Sequence, residues 1–182
     1  MTTTLAPMPS DTKRPAVTGV AALLAAVSYF VLAGIQLTNP PFEGVLTTPA
    51  DYANDASFLA GMLFSVATVV GLRRHLDASL PAVLLAGFGQ ILVSIGVGVA
   101  LVTGVDPDWF VFLGLPGNLL AWIGYAWLGV WAWRRRELPR WVAVLLIVSV
   151  PVTLVLADLG GSALAGLLWC GIGVQLLRGP AA

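Results

Sequence analysis

Charge is what this chain has least of. Only 10% of its 182 residues are charged while 58% are hydrophobic, against roughly 25% charged in a typical soluble domain. A soluble fold of this size cannot hide that much apolar surface, whereas lipid covers it without cost. Nine basic and nine acidic residues cancel, so the chain has no electrostatic footprint for a nucleic acid. The lone Cys170 excludes an intramolecular disulfide and a dithiol relay. The lone His75 excludes bis-histidine haem ligation and a histidine metal cluster within this chain. His75 falls at the inner edge with no serine close to it in the last turn of its helix, so a serine–histidine pair is not expected. Lys13, the only lysine, precedes the first apolar run, so no buried lysine is present to carry a Schiff base. There is no Walker loop, and Gly96-Val97-Gly98 stands without the rest of a dinucleotide fingerprint. Neither a metal nor a cofactor is expected.

What the chain has instead is long apolar runs. Six stand out, at residues 16–37, 57–72, 81–103, 109–133, 141–157 and 161–177. A helix rises about 1.5 Å per residue and the hydrocarbon core is about 30 Å thick, so roughly 20 apolar residues cross it. The second, fifth and sixth runs are short, but flanking arginines snorkel. The charges check the count independently. Lys13, Arg14, Arg73, Arg74, Arg134, Arg135, Arg136, Arg140 and Arg178 all lie before the first run or after an even-numbered one. The alternate connections carry Glu43, Asp51, Asp55, Asp106, Asp108 and Asp158 and no basic residue. Six crossings satisfy the positive-inside rule without an exception. The expected fold is an all-α polytopic membrane protein with six transmembrane helices and cytoplasmic N- and C-termini, placed in the plasma membrane. Residues 1–15 are expected to be a disordered cytoplasmic tail and residues 16–178 the membrane domain. Lys13-Arg14 and the run ending Leu32-Ala33-Gly34 also fit a signal peptide. That run exceeds the usual 7–15 residues of an h-region, which favours a retained helix.

Prolines mark the expected breaks. Asn39-Pro40-Pro41 ends the first helix and opens a long loop over residues 38–56. Pro116-Gly117 is expected to break the fourth segment, leaving a helix that starts near Asn118 with that residue as its cap. Pro151 removes a backbone donor from the fifth segment, with Ser149 and Thr153 placed to occupy the freed groups. Residues 158–161, Asp-Leu-Gly-Gly, form a tight turn. Each even-numbered segment also reads Leu-Ala, eight residues, Val, three residues, Arg, starting at Leu59, Leu120 and Leu164. That is either a record of three repeated hairpins or a product of leucine, alanine and valine being abundant. Small residues at i, i+4, i+7 (Gly61, Ser65, Thr68; Gly117, Ala121, Gly124; Gly166, Cys170, Gly173) let backbones approach closely.

Few polar groups remain at membrane depth. Asn118, Trp122, Tyr125 and Gly129 fall at i, i+4, i+7, i+11, one face of a helix. Such a stripe lines either a cavity for a flat or lipidic ligand or a packed helix seam with a buried amide. Gln90, paired with Ser94 at i+4, is the deepest strong hydrogen-bonding side chain, and it must face the bundle and find a partner. Asp158 is either an interfacial acid capping the sixth helix or a proton- or cation-handling carboxylate. The candidate ligand-binding set is therefore Gln90, Asn118, Trp122, Tyr125 and Asp158. Trp109, Trp131, Trp133 and Trp141 read as interfacial anchors.

In hydropathy, in its alanine-, valine- and glycine-rich helices and in the loop from Asp51 to Ser57, the chain resembles small six-helix membrane proteins common in high-GC actinobacteria. That group has no activity to carry over. Size and helix count also resemble the substrate-binding subunits of vitamin transporters, with no motif residues to match. The expected function is non-enzymatic: binding or transport of a small apolar or amphipathic ligand, or service as an accessory subunit to a membrane partner or a second copy. The alternative is an intramembrane enzyme on a lipid or isoprenoid substrate, using Asp158 with an outer acid such as Asp51 or Asp106.

Overall fold

The computed structural model describes residues 13–39, 44–75 and 78–178, with backbone alone at residues 13–15, 75 and 158. It is all-helical: α1 (Lys13–Thr38), α2 (Pro49–His75), α3 (Leu80–Thr103), α4 (Phe110–Arg135), α5 (Arg140–Val155) and α6 (Ser162–Arg178). A single 3-10 turn, Ala157–Leu159, joins α5 to α6. Helices α1 to α4 are long and apolar enough to cross a membrane; α5 and α6 are shorter apolar helices. At 16 and 17 residues those two reach roughly 25 Å. The tail expected at residues 1–15 lies outside the described residues up to residue 12, and α1 takes up the rest. Glu43 also lies outside them.

Each helix packs on its neighbours in sequence, and α6 returns to pack on α1. The result is a closed ring. One end carries Asp51, Asp55, Asp106, Asp108 and Asp158, and the other Arg73, Arg74, Arg134, Arg135, Arg136, Arg140 and Arg178. We refer to these as the acidic end and the arginine end.

Small residues set the tightest seams. Between α3 and α4, a methyl group on Gly89 would strike the backbone of Gly117 and Ala121, and one on Gly124 would strike that of Ala86. Backbones this close gain dispersion energy that larger side chains would forfeit. The small stripe of α4 is thus spent on α3. Gly173 of α6 meets Leu23 and the Gly19 carbonyl of α1 in the same manner. Ser162 Oγ, opening α6, donates to Gln36 Oε1 of α1 at 3.0 Å.

Helix α2 starts earlier than the hydropathy indicates, which shortens the expected loop over residues 38–56. Thr48 caps it. The Thr47 and Thr48 N–H groups donate to Asp51 Oδ2 at 2.9 and 2.7 Å, and Asp51 N–H donates back to Thr48 Oγ1 at 3.3 Å. This reciprocal cap, with Pro49 at the first helical position, satisfies donors that hydropathy does not see. The connection before it is tied to the α3–α4 loop. Leu46 N–H donates to Gly104 O at 2.8 Å and Asp106 N–H to Gly44 O at 2.9 Å. Gly44 and Gly104 supply the turns at φ 76° and 75°, a region that costs glycine little.

Helix α4 corrects a second expectation: it runs unbroken through Pro116. In apolar surroundings, opening a helix exposes carbonyls that nothing else can satisfy, so one missing N–H is the smaller loss. Asn118 is consequently inside the helix rather than at its cap, and its Nδ2 donates to Gly114 O at 2.9 Å.

Candidate functional site

The ring interior holds a chamber of about 60 Å³ in its acidic half, and all six helices contribute to its wall. Tyr29 comes from α1, Phe58 and Met62 from α2, Gln90 from α3, Asn118 and Tyr125 from α4, Ser149 and Thr153 from α5, and Leu168 and Trp169 from α6. Tyr125 and Trp169 meet edge to face across the ring, with centroids 5.8 Å apart and planes at 68°. Both rings are 2% exposed, line the chamber and belong to the buried apolar cluster that continues towards the arginine end.

Three polar atoms at the chamber are buried without a hydrogen-bond partner: Gln90 Oε1, the Tyr125 hydroxyl and Thr153 Oγ1. Gln90 and Tyr125 are neighbours, yet neither of these two oxygens completes a bond of acceptable geometry. Gln90 faces the bundle as its polarity demands, but the partner expected for its carbonyl is missing among the described residues. Thr153 is the most informative of the three. Ser28, Thr38, Ser65, Thr68, Ser94 and Thr103 all donate to the carbonyl four residues back, the usual recourse of a hydroxyl in an apolar helix. Thr153 does not take it. Each such orphan costs about 1–3 kcal/mol of desolvation.

The remaining expected site residues divide. Asn118 lines the chamber; Trp122 does not. Pro151 has no N–H to give Ile147 O, the carbonyl four residues before it. Trp122 Nε1 of α4 donates to that oxygen at 2.9 Å. This corrects the assignment of Ser149 and Thr153 as the groups that compensate Pro151. Gly129, the last member of the stripe, is spent on α5, since a methyl group there would sit 2.6 Å from Ala143 O. The stripe therefore splits between chamber and seam. The Asp158 side chain lies outside the described residues. In the first turn of α6, Ala163 and Leu164 N–H donate to the backbone carbonyls of Gly160 and Gly161.

Asp51, Asp55, Asp106 and Asp108 sit around the acidic end, and none of them lines the chamber. Asp55 is 5% exposed, and its Oδ1 accepts from Asn54 Nδ2 at 3.2 Å. Burial raises the Asp106 carboxyl above the ordinary carboxylate range. Among the described residues, no group of three or more histidine, cysteine or acidic side chains is placed to hold a metal ion.

Sequence reasoning passed over Trp169 and Tyr29 and gave Thr153 a different role. Trp169 carried a signal, because it lies mid-helix among Gly166, Cys170 and Gly173, far from the interfacial depth where tryptophan concentrates. Tyr29, set against Ser65, had none. No family model, characterised protein or solved structure matches this chain.

Proposed function

We propose that the chain is a non-enzymatic plasma-membrane protein whose ring crosses the bilayer six times with its arginine end in the cytoplasm. Its chamber takes the polar end of a small, neutral, amphipathic molecule. The observation that carries this reading is the convergence of Gln90 Oε1, Tyr125 OH and Thr153 Oγ1 as unpaired buried groups on one cavity. Functional pockets combine apolar walls with a few polar groups that fix orientation. Here Phe58, Met62, Leu168 and Trp169 supply the walls. The ligand is neutral because no carboxylate, guanidinium or ammonium lines the cavity, and an unpaired charge there would be prohibitively costly. A volume of about 60 Å³ is well below the roughly 150 Å³ of a void that admits benzene. It suits a head of a few heavy atoms, such as a carbonyl or a hydroxyl.

Carboxylates converging on one pocket would favour the enzyme alternative, and this pocket has none. Transport and an accessory role both need the same binding step. The test is native mass spectrometry of the gently extracted protein. A discrete small molecule should co-purify with the parent and be lost from Tyr125→Phe and Thr153→Val, which remove single hydroxyls and leave the walls intact. A parent that carries no such molecule, or variants that keep it, would sink the reading.

A further inference from the structure

A second site lies at the opposite end of the ring. The last two turns of α4 place Trp127, Val130, Trp131, Arg134 and Arg135 on one face, where they line a shallow hollow of about 190 Å³. Its apolar side points out of the ring, with Trp127 46% and Val130 41% exposed. Its polar side is two exposed guanidinium groups. The Arg135 guanidinium lies 5.5 Å from the Trp131 ring centroid, a cation–π contact that orients its donors. Just beyond, Arg140 stacks on Trp133 at 5.8 Å. Among the described residues, Arg134 and Arg135 have no carboxylate or carbonyl partner. Glu137, the only acid in this stretch, leaves its own Oε2 buried and unpaired instead of reaching them. From Arg134 to Arg140 four positive charges face one negative, a net of three positive.

We propose that this hollow binds an anionic phospholipid. Arg134 and Arg135 hold its phosphate, and its acyl chains lie along Trp127 and Val130. Guanidinium forks match the spacing of phosphate oxygens. Basic pockets at the cytoplasmic face of membrane helices take phospholipid headgroups. A soluble phosphate has no use for the apolar wall that runs on from the arginines into the membrane-facing surface. The site depends on the protein's being membrane-embedded but not on what the chamber binds.

The experiment is a titration of the detergent-purified protein with phosphatidylglycerol or phosphatidylcholine, read by native mass spectrometry. Phosphatidylglycerol should be held about tenfold more tightly. The preference should vanish in the Arg134→Gln, Arg135→Gln double variant and persist in Arg178→Gln. Arg134→Lys with Arg135→Lys, which keeps the charge and removes the fork, should retain part of it. Unchanged melting temperatures establish that the variants fold, and the preference of the parent is itself a test that needs no variant. Equal retention of the two lipids overturns the proposal, as does a preference that survives the double glutamine variant. Displacement of the lipid by millimolar inorganic phosphate also overturns it, since the hollow would then be a site for soluble anions.

Discussion

The two halves of the ring interior are built from the same helices and differ in what fills them. Towards the arginine end the centre is solid: Val69, Leu72, Ala82, Leu128, Ala132, Val142 and Ile172 form one continuous buried cluster. Towards the acidic end the same helices leave a chamber edged by amide and hydroxyl groups with no partners. Packing alone explains the first half, because apolar side chains of ordinary volume interdigitate wherever small residues bring backbones together. It does not explain the second. A protein selected only to hold its shape would carry valine, phenylalanine or leucine in place of Thr153, Tyr125 and Gln90. The unpaired polar groups of the chamber are kept at a cost in stability, and that cost is the observation on which the proposed binding role rests.

The contrast can be broken most severely in the close-packed seams. Gly124→Val forces two branches into the Ala86 backbone, and we expect a loss of roughly 3 kcal/mol or more. It should appear as a collapse in folded yield and in the detergent-resolved melting temperature. A variant that melts like the parent would show that the α3–α4 seam is not tight.

The next effect concerns the carbonyl freed by Pro151. Trp122→Phe leaves Ile147 O without its donor and should cost about 1–3 kcal/mol. In a Pro151→Ala background the restored N–H takes that oxygen, so the same substitution should cost less than about half as much. Equal losses in the two backgrounds would show that Trp122 stabilises the protein through packing alone.

The chamber itself predicts a change of opposite sign. In ligand-free protein, Tyr125→Phe and Thr153→Val each remove an unpaired buried group and should raise stability by about 1 kcal/mol. Destabilisation by either one would mean that ordered water already satisfies these groups.

The smallest effect is electrostatic. Burial raises the Asp106 pKa in the folded state, so the fold favours the protonated form. As pH rises from below the unfolded-state value through the folded one, this group progressively opposes folding. Asp106→Asn should therefore stabilise the protein slightly at pH 7, with the gain vanishing below about pH 4. A gain that persists at acid pH would point to a cause other than charge.

The segments and the two ends were legible because they rest on one-dimensional signals. Apolar runs located all six helices within a few residues, except where Thr48 and Asp51 begin α2 through a hydrogen-bonded cap and where α4 continues through the break expected at Pro116. The segregation of Arg73, Arg134 and Arg178 from Asp55 and Asp106 defined the two ends. The return of α6 onto α1 was not legible, since apolar faces carry no code for which other apolar face they meet. The site was legible in part. Gln90, Asn118 and Tyr125 were singled out as rare polar groups at depth, and the structure places all three on the chamber wall. Trp122 shares the helix face of Asn118 and Tyr125 in register, but Pro151 on another helix draws it away. That pull depends on a carbonyl four residues before a proline in a different segment. Thr153 was assigned to the same compensation and instead points into the cavity.

Closure of the ring also bears on how the molecule is made. Helices enter a membrane in the order of synthesis, and every seam but one joins a helix to the segment just completed. The α1–α6 seam has to wait for the last segment, so the Gly19 face of α1 meets lipid until Gly173 arrives. Until then the chamber has no Leu168 or Trp169, and Tyr125 has no ring to stack on. The chamber is thus closed by the last segment to be made, and a nascent chain halted before α6 would possess the other five helices and an incomplete wall.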